Sequence, residues 1–203
     1  MIFARAEKKR GDMKNGAVVK AIVMTVLAAI VVLGLYMVFT RSKKAGPEES
    51  YDITVVDEIT TTNLDKNYPA SARKVVELYA KTMQVLYRET YSDSQEDKMV
   101  EVVQGLMDEE LLAANSSFAK SIKNEVKERR AGDYSISAFV VQTKEPDEVM
   151  VNGRKMCNVD CLINLRHGSN GTTANYYQFV MRREKETGHW KILGWTIKDK
   201  NDD

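Results

Sequence analysis

Residues 21–40 form an uncharged, mostly aliphatic run near the N-terminus, AIVMTVLAAIVVLGLYMVFT. At about 1.5 Å per residue, a helix of this length spans roughly 30 Å, which is the thickness of the hydrocarbon core of a bilayer. No other stretch of the sequence is both long enough and apolar enough to cross a membrane. The sequence therefore predicts a single transmembrane helix at residues 21–40, followed by one folded domain.

The charges on either side of this run predict its orientation. Residues 1–20 contain six basic and two acidic residues, whereas residues 41–60 contain three basic and five acidic ones. Because basic flanks stay in the cytoplasm, we expect a cytoplasmic tail at residues 1–20 and an extracytoplasmic C-terminal domain. A cleaved signal peptide is the alternative, but no small-residue cleavage pattern follows Phe39. The predicted location is the cell membrane, with membrane lipid contacting the anchor.

Beyond residue 60 the sequence is nearly neutral, with 21 basic and 22 acidic residues. A nucleic-acid-binding domain has a basic surface, so we expect no nucleic-acid partner. The only cysteines, Cys157 and Cys161, fall four residues apart in a predicted strand. That spacing separates them by about 13 Å, which is too far for a disulfide or for one shared metal ion. We interpret them as buried thiols in a bacterial envelope domain, where disulfides are not obligatory.

The rest of the sequence divides into a linker and a domain. Residues 41–66 are predicted to form a polar tether, in which the β-favouring residues 53–56 can add an edge strand. The domain is predicted at residues 67–203. Apolar residues at helical spacing predict three helices. The first is predicted from Ser71 to Tyr91, the second begins with a capping box of Asp93 and Glu96, and the third runs from Ser116 or Ser117 to Gly132.

From Tyr134 onward the apolar residues alternate, which predicts β-strands. Asn152-Gly153 is a signature of a type I′ hairpin turn. Cys157, Val159, Cys161, Ile163 and Leu165 share one face of the most regular strand, and Tyr177, Phe179 and Met181 share one face of the next. We therefore predict an α+β fold, with three helices packed on a curved antiparallel sheet.

This order of elements, together with the ending Gly188-His-Trp-Lys-Ile-Leu-Gly-Trp195, resembles the NTF2-like (cystatin-like) superfamily. The segments Asn63-Leu-Asp-Lys-Asn-Tyr-Pro69 and Asp108-Glu-Glu-Leu-Leu112 and the Trp-Lys-Ile-Leu-Gly-Trp ending also look like a family of single-pass proteins from clostridia. The resemblance covers about residues 50–198. It implies the fold, but NTF2-like domains include enzymes, transport factors and assembly modules, so it does not select a function.

Catalysis has little support in the sequence. NTF2-like enzymes carry an acid–base residue in a conical cavity, and the candidates here are Asp160, His167 and His189. Asp160 falls on the polar face of its strand, and both histidines lie next to turns. The sequence contains no Ser-His-Asp pattern, phosphate loop or metal-ligand cluster. We therefore expect no catalytic residues, no cofactor and no bound metal.

Binding has more support, since Leu162, Val180, Leu193 and Trp195 are predicted on the outer face of the sheet. Trp190 and Trp195 are five apart in one strand, so regular alternation puts them on opposite faces. We expect Trp195 to point outward. The leading hypothesis is a membrane-anchored, non-catalytic interaction or assembly module that binds a second copy or an envelope protein. A pocket for lipid, peptide or a small molecule is the alternative, and an NTF2-like enzyme is less favoured.

Overall fold

The computed structural model describes Met24 and residues 53–198 of this chain. The predicted tail, most of the predicted anchor and the tether up to residue 52 lie outside the described residues. In the described part, no helix combines the length and apolar character needed to cross a membrane. A compact unit begins at Ile53.

A short helix, α1 (Val55–Thr60), occupies the segment predicted as a tether with an edge strand. The edge-strand prediction is therefore wrong. The Thr54 side chain accepts a hydrogen bond from the Asp57 amide, and the Asp57 carboxylate accepts one from the Thr54 amide in return, so a capping box begins the helix. Val56 and Ile59, three residues apart, are both buried. Capping and burial here outweigh the β-propensity of the valines.

Four more helices follow within residues 53–198: α2 (Ala72–Arg88), α3 (Asp93–Gly105), the short α4 (Glu109–Ala114) and α5 (Phe118–Ala131). The Ser71 cap of α2 and the Gly132 cap of α5 are as predicted. α3 differs from the prediction, because its capping box is Ser92 with Gln95. Asp93 and Glu96 instead lie inside the first turn, where their negative charge complements the helix dipole.

All strand pairs in the described sheet are antiparallel: β1 (Tyr134–Val141), β2 (Val149–Val151), β3 (Arg154–His167), β4 (Thr172–Arg183) and β5 (Trp190–Lys198). The order is β1-β3-β4-β5, and β2 pairs with the start of β3 on the same side as β1. Asn152 and Gly153 have φ angles of 51° and 74°, which confirms the predicted hairpin turn between β2 and β3. The α+β class with an antiparallel sheet is thus as predicted.

The core lies between the helices and one face of this sheet. Cys157, Val159, Cys161 and Ile163 are all buried on that face, as predicted from the alternation in β3. Burial raises the pKa of the Cys157 thiol to about 12 and that of Cys161 to about 11. Both thiols are therefore kept protonated at neutral pH, which lowers their reactivity.

A β-bulge in β5 overturns the predicted orientation of Trp195. Met181 pairs with Ile192 and Val180 pairs with Gly194, so Leu193 is an extra residue in β5. The extra residue shifts the alternation, and Trp195 pairs with the inward-facing Phe179. Both tryptophans therefore face the helices: Trp190 is buried, and Trp195 packs against the core.

The two edges of the sheet differ in how their backbone groups are covered. Residues 106–108 run along β5, where the Asp108 amide donates to the Ile192 carbonyl at 2.8 Å and the Ile192 amide donates to the Leu106 carbonyl at 2.9 Å. On the opposite edge, the Gln84 side chain donates to two carbonyls of β1. Within residues 53–198, no comparable backbone bond covers β2. The edge formed by β2 is therefore open.

Candidate functional site

A cleft of about 100 Å³ opens between α2, α5 and the helix-facing side of the sheet. Its wall is largely aromatic and is formed by Tyr79, Tyr87, Tyr177, Phe179 and Trp195. Glu125, Arg129 and Asn175 supply its other polar side chains. Glu125 and Arg129 are themselves solvent-exposed, so they form the rim.

Local structure explains how these side chains converge. Tyr79, Met83 and Tyr87 recur every four residues along α2, so one helix face carries all three. Glu125 and Arg129 have the same spacing on α5. Tyr177 and Phe179 alternate in β4, and the bulge turns Trp195 toward the same side. Regular alternation in β5 predicts an outward Trp195, so this cleft was not predictable from sequence periodicity.

Three of the aromatic rings pack against one another. The Tyr79 ring centroid is 5.3 Å from that of Phe179 and 5.8 Å from that of Trp195, and the Phe179 and Trp195 centroids are 6.1 Å apart. These distances are within the range for favourable aromatic pairs. The wall of the cleft is consequently a packed part of the core.

The polar groups of the cleft are only partly satisfied by the protein. The Tyr87 hydroxyl donates to Oε1 of Glu125 at 2.8 Å. Within residues 53–198, the hydroxyls of Tyr79 and Tyr177 and Oε2 of Glu125 have no hydrogen-bond partner. Every fully buried side-chain nitrogen or oxygen in the same residues does have a partner. The three unpaired oxygens are therefore not sealed in the core and remain accessible to a bound molecule.

Glu125 dominates the electrostatics of the cleft. Burial raises the pKa of Tyr79, Tyr87 and Tyr177, and the negative charge of Glu125 raises each pKa further. Arg129 lowers the pKa of Tyr87 and Tyr177, but its effect is smaller than that of Glu125. The Arg129 guanidinium instead lies 5.4 Å from the ring centroid of Tyr134. Glu125 therefore outweighs Arg129 at the hydroxyls of Tyr87 and Tyr177.

The three predicted acid–base candidates lie away from the cleft and from one another. Asp160 is on the outer face, where it accepts a hydrogen bond from Gln178 at 3.0 Å and pairs with Lys198 at 3.3 Å. His167 stacks on Tyr134 with centroids 4.1 Å apart, and His189 stacks on Tyr68 at 4.0 Å. The structure does not assemble them into a site.

The four predicted interface residues do not form one patch. Leu162 and Val180 lie on the outer face, but the hydrogen-bonded pair of Asp160 and Gln178 lies between them. Leu193 is the bulge residue, and Trp195 is on the opposite face. More exposed apolar side chains lie at the open edge, where Val149, Met150 and Val151 of β2 are 55%, 66% and 41% exposed.

A separate charge cluster ties α4 to the sheet. Asp108 is 1% exposed, caps α4 through the Glu110 amide, and accepts hydrogen bonds from the guanidinium of Arg182. Burial alone would raise the pKa of Asp108, but these hydrogen bonds and the nearby charges of Arg182 and Arg154 hold it below its usual value. Arg182 also donates to Glu110 at 2.7 Å. Because these groups are satisfied internally, we interpret the cluster as a structural tie.

The fold and the cleft define an α+β domain whose helices cover one face of a five-stranded antiparallel sheet. The chain belongs to the family described as Domain of unknown function (DUF6715), whose model matches residues 8–195. No curated protein matches the sequence.

Three solved structures show distant likenesses. The intermembrane space region of chloroplast protein ARC6 is 13% identical, with a TM-score of 0.38 over 64% of this chain and 96% of that one. The periplasmic domain of DotI is 14% identical, with a TM-score of 0.41 over 63% and 95%. A de novo beta sheet design protein is 11% identical, with a TM-score of 0.32 over 64% and 91%. Likenesses this distant carry no inference about function.

Proposed function

We propose that the protein is a membrane-anchored, extracytoplasmic and non-catalytic assembly module of the bacterial cell envelope. The apolar run at residues 21–40 and the basic excess before it support the anchor and its orientation. The family model includes both this run and the folded domain, so the two belong to one family architecture. The NTF2-like assignment is part of the proposal and is supported by helices that precede an antiparallel meander. The clostridial relationship is also part of it and is supported by the segments at residues 63–69, 108–112 and 190–195.

One observation carries the assembly role, namely the open and apolar edge at β2. In a two-residue hairpin, the two residues that flank the turn form backbone hydrogen bonds with each other, so Val151 is hydrogen-bonded to Arg154. The N–H and C=O of the preceding residue, Met150, then point to the open edge. An exposed strand edge with apolar side chains is a template for pairing with another strand.

A second copy of the chain fits this edge in a self-complementary register. If two β2 strands pair antiparallel about Met150, each Met150 lies opposite its counterpart and Val149 lies opposite Val151 of the other copy. Every apolar side chain then meets an apolar one, and both outward-pointing groups of Met150 are hydrogen-bonded. Such a two-fold arrangement uses the same surface on both copies, as most homodimers do.

Cysteine cross-linking in native membranes tests this proposal. Cα atoms of a hydrogen-bonded antiparallel pair are about 5.5 Å apart, within the range of a disulfide. Met150→Cys should therefore form a covalent dimer under mild oxidation. Ile197→Cys is the matched control, since Ile197 is an exposed apolar residue at the far end of β5. Equal cross-linking of both variants, or none at Met150→Cys, rules out pairing through β2.

Ligand binding in the cleft is the second candidate function. It is favoured by the free hydroxyls of Tyr79 and Tyr177 beside the Glu125 carboxylate, all within the described part of the chain. Catalysis has weaker support, because Asp160, His167 and His189 are dispersed.

A further inference from the structure

The size of the cleft restricts what it can hold. An apolar cavity of about 150 Å³ accommodates the six heavy atoms of benzene, so the cleft of about 100 Å³ suits a compact group of roughly four heavy atoms. The exposed rim at Glu125 leaves one side open, so the rest of a larger molecule can extend into solvent.

The chemistry of the wall favours a cation with an apolar surface. Aromatic rings have negative faces that attract cations, and such rings commonly surround quaternary ammonium groups. Five rings line the cleft together with apolar side chains such as Met83 and Ile136. A strongly hydrated ammonium, in contrast, would lose more hydrogen bonds with water than these few polar groups replace.

The negative charge at the rim also favours a cation. Glu125 keeps one carboxylate oxygen without a partner in the described chain, whereas Arg129 is directed to the ring of Tyr134. We propose that the cleft binds the methylated ammonium head group of a choline-like molecule, with the aromatic rings against its methyl groups and Glu125 opposite its charge. This proposal is independent of dimerisation through β2.

Choline titration of the full chain tests the proposal. The protein is placed in nanodiscs of phosphatidylglycerol, which contain no choline. Binding is followed by tryptophan fluorescence, to which Trp195 in the cleft wall and the buried Trp190 both contribute. We expect a saturable change, at least about fivefold weaker with 3,3-dimethyl-1-butanol, the neutral analogue of choline. Sodium chloride at the same ionic strength controls for salt. If the fluorescence change of the unaltered protein does not saturate with choline, or if the neutral analogue binds equally well, the proposal is overturned.

Two matched variants then test the role of Glu125. Glu125→Gln should weaken choline binding about fivefold, whereas Glu128→Gln, on an exposed part of the same helix, should not. Equal affinities of the two folded variants exclude Glu125 as the counter-charge and overturn the proposal. Nanodiscs that also contain phosphatidylcholine distinguish the source of the head group, since a lipid ligand would compete with free choline and a soluble ligand would not.

Discussion

Replacing Trp195 with alanine tests whether this residue points outward, as regular alternation predicts, or toward the helices, as the structure has it. Removal of a fully buried tryptophan costs about 3–5 kcal/mol of unfolding free energy. Trp195 is only partly buried, but it contacts the Tyr79 and Phe179 rings at centroid distances of 5.8 and 6.1 Å. We therefore expect Trp195→Ala to lower the unfolding free energy by about 2–3 kcal/mol.

Urea unfolding of a fragment of residues 53–203 provides the measurement, because that range is one compact unit with its own core. With a urea m value of about 2 kcal/mol/M, the unfolding midpoint should fall by about 1–1.5 M. Ile197→Ala is the control. Ile197 is two residues further along β5 and 64% exposed, so its replacement should change the unfolding free energy by less than about 0.5 kcal/mol.

The same experiment can refute the bulge. If Trp195→Ala unfolds at the same urea concentration as Ile197→Ala, the indole has no packing partners and points outward. Leu193 would then not be an extra residue, and β5 would alternate regularly. Loss of cooperative unfolding in the unaltered fragment would instead show that the core needs chain beyond residues 53–203.

Three further predictions concern the buried charge, the thiols and the topology. Asp108→Asn should lower the unfolding free energy by about 2–4 kcal/mol, because it leaves Arg182 without its buried partner. The folded-state pKa of Asp108 is depressed, so its stabilisation is present above about pH 4 and is lost as the pH falls further. The unfolding curves of the unaltered protein and the Asp108→Asn variant should therefore converge in acid. Cys157 and Cys161 should react with a thiol reagent at pH 8 promptly in urea and slowly in the native fragment, and equally fast reaction in both would contradict their burial. Ser50→Cys should be labelled by an impermeant thiol reagent in intact cells, and labelling only after lysis would reverse the proposed topology.

Much of the fold followed from local patterns in the sequence. The Ser71 cap, the Asn152-Gly153 turn and the alternation around Cys157 and Cys161 each depend on neighbouring residues alone, and each is confirmed. The orientation of Trp195 depends on pairing with β4, which sequence periodicity does not contain. One unpaired residue, Leu193, was enough to reverse it.

The candidate cleft was harder to predict for the same reason. Glu125 lies three residues after Ile122 and next to Val126, so its position at the border of the apolar stripe of α5 was a usable signal. Its contact with Tyr87, however, joins residues 38 positions apart in the sequence. The short helix α1 was not predicted, because the β-branched residues around Val56 favoured a strand and the capping box of Thr54 and Asp57 was not considered.

The coverage of β5 by residues 106–108 has a consequence for how large an assembly can become. A sheet with two open edges can add copies indefinitely and grow into a fibre, which is the hazard of unprotected strands. Here the hydrogen bonds of Ile192 to Leu106 and Asp108 cover the first part of the β5 edge. Pairing through β2 would use the open edge of each copy, so a third copy would have to add at the partly covered β5 edge. In the proposed assembly, the residues that cover the start of β5 therefore hinder growth beyond the dimer.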